Sequence, residues 1–448
     1  MPIRTVPNSD VTYHLLCYDA EGVERPECGT KPSEAAADRI RSETITDVIL
    51  LSHGWKGDIP SAIDQYDRWI GAMLSCPADR NNAELHRPGF NPLIVGLHWP
   101  SLAWGDENLD DYPGSFAIAA DADASFGRAV DDFTNALGGG ANTAAAVRTI
   151  LESANDDIAP DHLPPDVVDA YALIDSRIGL GNSGEGAAPG DDREVFDAEA
   201  AYQAALTEEE LADFGGIGLG GVVAPLRMLT FWSMKRRALR FGEGGANSLL
   251  RLLQDAISAD GAVRIHLAGH SFGCIVVSAC VAGKPGTKSL RPVHSVLLVQ
   301  GAMSLWSYSS TIPAVRNRSG YFHRLLADNL VAGPVITTRS VHDRAVRFFY
   351  PVGASATRDV EFAPGALPKY GGIGTFGAHG SGFAAQDIPI GPVSTDYDFV
   401  PGKVFNIDAT AVIKSGRGPS GAHSDISHPE IAHLAWEAIN VRRGEAPT

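Results

Sequence analysis

The amino-acid sequence predicts an α/β protein: a mostly parallel sheet flanked by helices and interrupted by a large acidic helical insertion. Three observations point there. Runs such as Val48-Ile49-Leu50-Leu51 and Val296-Leu297-Leu298-Val299 are apolar at every position, which suits parallel strands covered on both faces. They alternate with stretches of helical period, and a strand-helix-strand order implies parallel neighbours. Between Ser101 and Asp213 the chain carries 25 Asp and Glu against four Arg and no Lys, a balance of −21 that exceeds the net −18 of the whole.

Taken in order, Val11 to Asp19 reads as a strand ending at the turn near Glu21-Gly22. Thr46 to Leu51 is a stronger strand, and Pro92 to Trp99 is another. Between these two, Ile59 to Leu74 reads as a helix, because Ile63, Tyr66, Ile70 and Met73 recur every three or four residues. In the insertion, helices are expected near Ala122 to Asn155, Pro165 to Ile178 and Arg193 to Asp213, with a Gly-rich loop near Asn182 to Gly190. Alternation resumes with a helix near Ala246 to Ile257. Strands then follow at Val263 to Ala268, Ser295 to Gln300, Pro334 to Thr338 and Lys403 to Ile407. Pro351 to Pro401, rich in Gly, Pro and Ala, reads as a long irregular loop near the site, and Pro429 to Asn440 as the last helix. The division expected is a first core part at 1–100, the insertion at 101–235 and a second core part at 236–448.

Composition narrows the function. With 448 residues, 44% of them hydrophobic, the chain can bury one large core. No apolar run is long enough to span a bilayer, and Met1 to Pro7 lacks the apolar centre of a secretion signal. Phe214 to Met234 is broken by Gly and Pro and contains Arg227, so it reads as a Gly-rich connection into a buried helix. Five cysteines without paired metal-ligand spacing read as reduced thiols, which fits a cytoplasmic protein. The acidic insertion repels nucleic acid and anionic membranes and serves as a solvated face. No phosphate loop ending in Gly-Lys-Ser/Thr occurs, and the glycine-rich run from Gly215 to Gly221 lacks the strand that a nucleotide fingerprint needs before it. Neither a cofactor nor a metal is implied, since His342-Asp343 has no partner at ligand spacing.

The chemistry gathers at Gly269-His270-Ser271-Phe272-Gly273, which lies between the strand-like Val263 to Ala268 and the apolar run Cys274 to Cys280. A Gly-x-Ser-x-Gly between strand and helix holds a serine on a sharp turn with its hydroxyl presented. Its glycines are expected to supply unusual backbone angles and room for the strand and helix to pass closely. A serine hydroxyl needs a base, and the base needs an acid to orient it, so partners are expected downstream in the order Ser, acid, His. Asp343, just past the strand at Pro334 to Thr338, and His423, in the loop Gly421-Ala422-His423-Ser424-Asp425, fit that order. Asp408 follows the last strand too late and Asp425 is too near His423, while His428 and His433 belong to the final helix, where a histidine is usually just solvated. The oxyanion of a tetrahedral intermediate needs backbone donors. Phe272 N–H at the helix start is one; Trp55 N–H, in Ser52-His53-Gly54-Trp55-Lys56, is the other, with Gly54 second.

Together with Trp99-Pro100-Ser101, these motifs resemble the α/β-hydrolase superfamily over about Thr46 to Pro100 and Leu249 to Asn440; the acidic insertion lies outside the resemblance. The resemblance implies the α/β-hydrolase fold and a metal-free serine hydrolase, often an esterase or lipase. Its loop reads His-Gly-Trp where a longer His-Gly-Gly-Gly run marks some esterases, so no subclass is assigned. The expectation is a serine esterase that cleaves a small or lipid-like ester through an acyl-enzyme on Ser271. An amidase or thioesterase with the same triad, or a hydrolase-fold binding protein with an idle one, are the alternatives.

Overall fold

A nine-stranded sheet in the order β1-β2-β4-β3-β5-β6-β7-β9-β8 forms the spine of the computed structural model, which describes residues 3–27, 29–55, 58–101, 122–207, 221–258, 262–347, 367–416 and 420–441. Cys28, Lys56, the Gly215 to Gly220 part of the glycine run, the end of the helix expected to reach Asp213 and the first part of the Pro351 to Pro401 segment lie outside the described residues. The strands are β1 Ile3–Thr5, β2 Thr12–Cys17, β3 Asp47–Ser52, β4 Pro92–His98, β5 Arg264–His270, β6 Ser295–Val299, β7 Val335–Arg339, β8 Ala385–Pro389 and β9 Val404–Asp408. Among the described strands, β1 and β2 pair antiparallel and every other neighbouring pair is parallel.

Helices α1 Pro32–Ser42, α2 Ile59–Leu74 and α3 Pro77–His86 precede the insertion, which holds α4 Ala122–Ala136, α5 Ala141–Asp156, α6 Pro165–Ile178 and α7 Ala198–Thr207. After it come α8 Ala224–Phe241, α9 Asn247–Ala256, α10 Gly273–Ala282, the one-turn helices α11 Arg324–Ala327 and α12 Ile373–Phe376, and α13 Pro429–Asn440. Alternate strand residues serve opposite faces. Val48 and Leu50 join the core under α1, α8, α9 and α10, and Ile49 and Leu51 the core under α2, α3 and α13. α2 starts where the Asp58 side chain accepts the Ser61 N–H at 2.8 Å, with Pro60 in its first turn, a cap worth about 1 kcal/mol.

The helix expected across Ala122 to Asn155 is two helices. Gly138, Gly139 and Gly140 break it with φ of 98°, 78° and 100°, angles that favour glycine. Part of the segment read as irregular loop is β8, a strand with a mostly exposed pattern at the sheet edge. Its polar residues and terminal Pro389 are what an edge strand tolerates. The insertion has its own apolar core, where Val147, Ile150, Tyr171 and Ile174 meet Leu226 and Leu229 of α8. From Phe231 onward the same helix packs into the main core, so the boundary expected at 235 falls inside one continuous helix. Among the described residues, no helix is long and apolar enough to cross a membrane.

Candidate active site

β5 delivers Ser271 to the carboxyl end of a central strand, and the chain turns there into α10. The serine itself takes the unusual angle, φ 56°, and not Gly269 or Gly273 as the motif predicts. Such a residue costs about 1–3 kcal/mol and persists only where its surroundings over-determine it. Here its N–H donates to Val299 O at 3.1 Å, while its carbonyl accepts from Cys274 N–H at 3.1 Å and Ala302 N–H at 3.2 Å. The glycines supply room: a Cβ on Gly269 would strike the Gly273 carbonyl, and one on Gly273 the Ser52 carbonyl.

Ser271, Asp343 and His423, in the connections that follow β5, β7 and β9, stand together. His423 Nε2 is 2.7 Å from Ser271 Oγ and its Nδ1 is 2.8 Å from Asp343 Oδ2. Asp343 is wholly buried. With the carboxylate ionised, Nδ1 carries the proton and Nε2 is left to accept from the serine hydroxyl. Gln300 Nε2 donates to Asp343 Oδ2 at 2.8 Å, and Val346 N–H to Oδ1 at 3.0 Å. Three donors thus fix the carboxylate plane. Asp343 also bridges backbone to backbone with Gly421, two residues before the histidine.

Gln300 is the site residue that sequence reading left unused. It directly follows β6, has φ 46°, and is held by Thr338 Oγ1, which accepts its N–H and donates to its Oε1, both at 3.0 Å. A polar residue at the carboxyl end of a parallel strand is the signal that could have marked it. His270 is a second such residue. Its Nε2 lies 2.9 Å from the His423 carbonyl and its Nδ1 3.3 Å from Gln65 Nε2, tying the histidine loop to the serine turn.

The Ser52 to Trp55 loop lies against the serine: a Cβ on Gly54 would come within 2.5 Å of Ser271 Cβ. His53 shapes this loop. Its Nδ1 is 2.8 Å from Gly54 O, its Nε2 accepts from Trp99 N–H at 3.3 Å, and its ring stacks on Trp99 at 5.7 Å. Complete burial, aided by His98, pushes its pKa down to about 3, so the ring is neutral and serves as scaffold. Among the described residues, neither Phe272 N–H nor Trp55 N–H is donated to a backbone carbonyl.

The rival residues lie elsewhere. Asp408 pairs with Arg339 at 3.1 Å. Asp425 pairs with His428 at 2.7 Å and accepts the N–H groups of Lys414 and Ser415. His433 is buried instead of solvated, between Asp79 Oδ2 at 2.8 Å and Thr395 O at 2.7 Å. Burial works to lower its pKa, but those two acceptors outweigh burial and raise it. Asp79, His433 and Glu437 bring ligand-type atoms within 4.8 Å of one another. Both imidazole nitrogens are already engaged there as donors, the pattern of a charged histidine pinning α13 to α3.

Comparison of the chain with protein-family models, curated proteins and solved structures finds no match.

Proposed function

We propose that this chain is a serine hydrolase of the α/β-hydrolase superfamily that cleaves carboxylic esters through an acyl-enzyme on Ser271. The observation that carries the reading is the continuous relay from Asp343 Oδ2 through His423 to Ser271 Oγ, with steps of 2.8 and 2.7 Å. In it, His423 Nε2 takes the hydroxyl proton as Oγ attacks the ester carbonyl carbon, and Asp343 stabilises the imidazolium that forms. The carbonyl oxygen becomes an oxyanion facing the N–H groups of Phe272 and Trp55, each such donor being worth about 3 kcal/mol. Collapse breaks the C–O bond, and the departing alcohol takes the proton from Nε2. A water then passes its proton to His423, attacks the acyl carbon and releases the acid, while Ser271 regains its proton.

The acidic insertion disfavours anionic lipid surfaces, which supports a small or lipid-like ester taken from water. The test is labelling with a fluorophosphonate and hydrolysis of esters, thioesters and amides of one common acyl group. Labelling lost in Ser271→Ala, with the ester fastest, is expected. Folded protein that neither labels nor turns over any of the three would instead be a hydrolase-fold binding protein.

A further inference from the structure

Phe231, on α8, reaches both residues whose backbones are proposed to hold the oxyanion. Its ring centroid lies 5.0 Å from that of Phe272 and 6.1 Å from that of Trp55, which are themselves 5.7 Å apart. The three rings form a closed triangle, with Phe231 and Phe272 buried. α8 is held firmly beside it. One turn on, Lys235 is fully buried, its ammonium paired with Asp192 of the inserted segment and lying 4.4 Å over the Trp232 ring. A buried pair of this kind fixes a helix in rotation and height, since breaking it leaves an uncompensated charge. Near the other end of α8, Leu226 and Leu229 are locked in the core of the insertion.

From this we infer that Phe231 is a positioning residue, through which the inserted segment sets the aim of the Trp55 and Phe272 N–H groups. Trp55 is where this matters most. Phe272 is secured by the turn into α10, whereas Trp55 follows a glycine that sits against Ser271, and its ring packs on Phe231 and Phe272. Donor displacements of about 1 Å are enough to cost up to about 100-fold in rate. The inference rests on Ser271 being the nucleophile.

The experiment compares wild type, Phe231→Ala and the milder Phe231→Leu, which keeps an apolar side chain but removes the ring, with rates expressed per site titrated by the fluorophosphonate, so that a misfolded fraction drops out. The substrate is p-nitrophenyl acetate, whose two-carbon acyl group makes little use of an acyl pocket. Expected is a kcat about 10-fold to 100-fold lower for Phe231→Ala and about 5-fold lower for Phe231→Leu. KM should stay within about 3-fold, and affinity for a trifluoromethyl ketone, which forms a tetrahedral adduct, should fall in parallel with kcat. Unchanged kcat per site in Phe231→Leu, or a loss confined to KM, overturns the inference and leaves the hydrolase reading standing. Wild type that neither labels at Ser271 nor turns over sinks both.

Discussion

Gln300 and His423 share one oxygen: both donate to Oδ2 of Asp343, each at 2.8 Å. The carboxamide is in turn oriented by Thr338 and by Gly374, whose carbonyl accepts from the same Nε2 at 3.0 Å. The acid therefore holds its position by a side chain from the neighbouring strand end as well as by its own loop.

Replacing Gln300 by Leu removes that donor and leaves a buried carboxylate lone pair unmet. Hydrogen bonds to charged groups contribute about 1.5–3 kcal/mol, so kcat on an ester is expected to fall about 10-fold or more, with KM nearly unchanged. Steady-state kinetics decide this; a wild-type kcat would mean that Val346 and His423 alone position the acid.

The left-handed angle of Ser271 gives a test of strain. Both Ser271→Ala and Ser271→Gly should abolish fluorophosphonate labelling, but glycine accepts φ 56° without penalty. Chemical denaturation should show the glycine variant more stable than the alanine one by about 1 kcal/mol. The reverse order would show that the turn stores no strain.

Adding a methyl at Gly54 places a carbon where Ser271 Cβ and the His270 carbonyl already are, at 2.5 and 3.0 Å. The loop must retreat, taking Trp55 with it. Gly54→Ala should stay folded at a cost of about 1–3 kcal/mol and lose about 100-fold in kcat. Activity within a few-fold of wild type would remove this loop from the mechanism.

Glu185 ties the inserted segment to the core through Ser304, whose hydroxyl donates to its Oε1. Burial first, then the charge of Asp192, pushes its carboxyl pKa from 4.5 up to about 8. The folded protein thus keeps a proton that the unfolded chain releases above about pH 4.5, and stability is lost as pH rises through about 8. Glu185→Gln, which is neutral throughout, should match wild type near pH 5 and melt higher at pH 8. Thermal melts across that range check it, and parallel profiles for the two proteins would show that Glu185 is ionised in the fold.

The strands at β3, β4, β5, β6, β7 and β9 and the helices α2, α6 and α13 were legible because they are mostly apolar or strongly periodic runs, most of them with Pro, Gly or Asp at or beside an end. Less legible were α1, where alanines and charges blur the period, and the edge strands β1 and β8, whose short polar sequences resemble loops until a neighbour supplies hydrogen bonds. At the site, Ser271, Asp343 and His423 could be picked by order along the chain. Gln300 could not, because its role depends on a contact 43 residues away, and neither could the burial of His433, which needs Asp79 from another helix.

A helix that belongs to two cores also decides what can be exchanged between proteins. Cutting out the acidic segment at residue 235 would sever α8 one residue after Met234 and carry Phe231 and Trp232 out of the main core along with Leu226 and Leu229. A chimera that keeps all of Ala224–Phe241 with the main core retains the aromatic triangle. It then needs new apolar partners for the Leu226 and Leu229 end and a new carboxylate for Lys235, whose partner Asp192 leaves with the segment. The unit of transplantation is thus set by where the helix faces, and it ends at Gly221–Val223, a dozen residues before the boundary expected at 235.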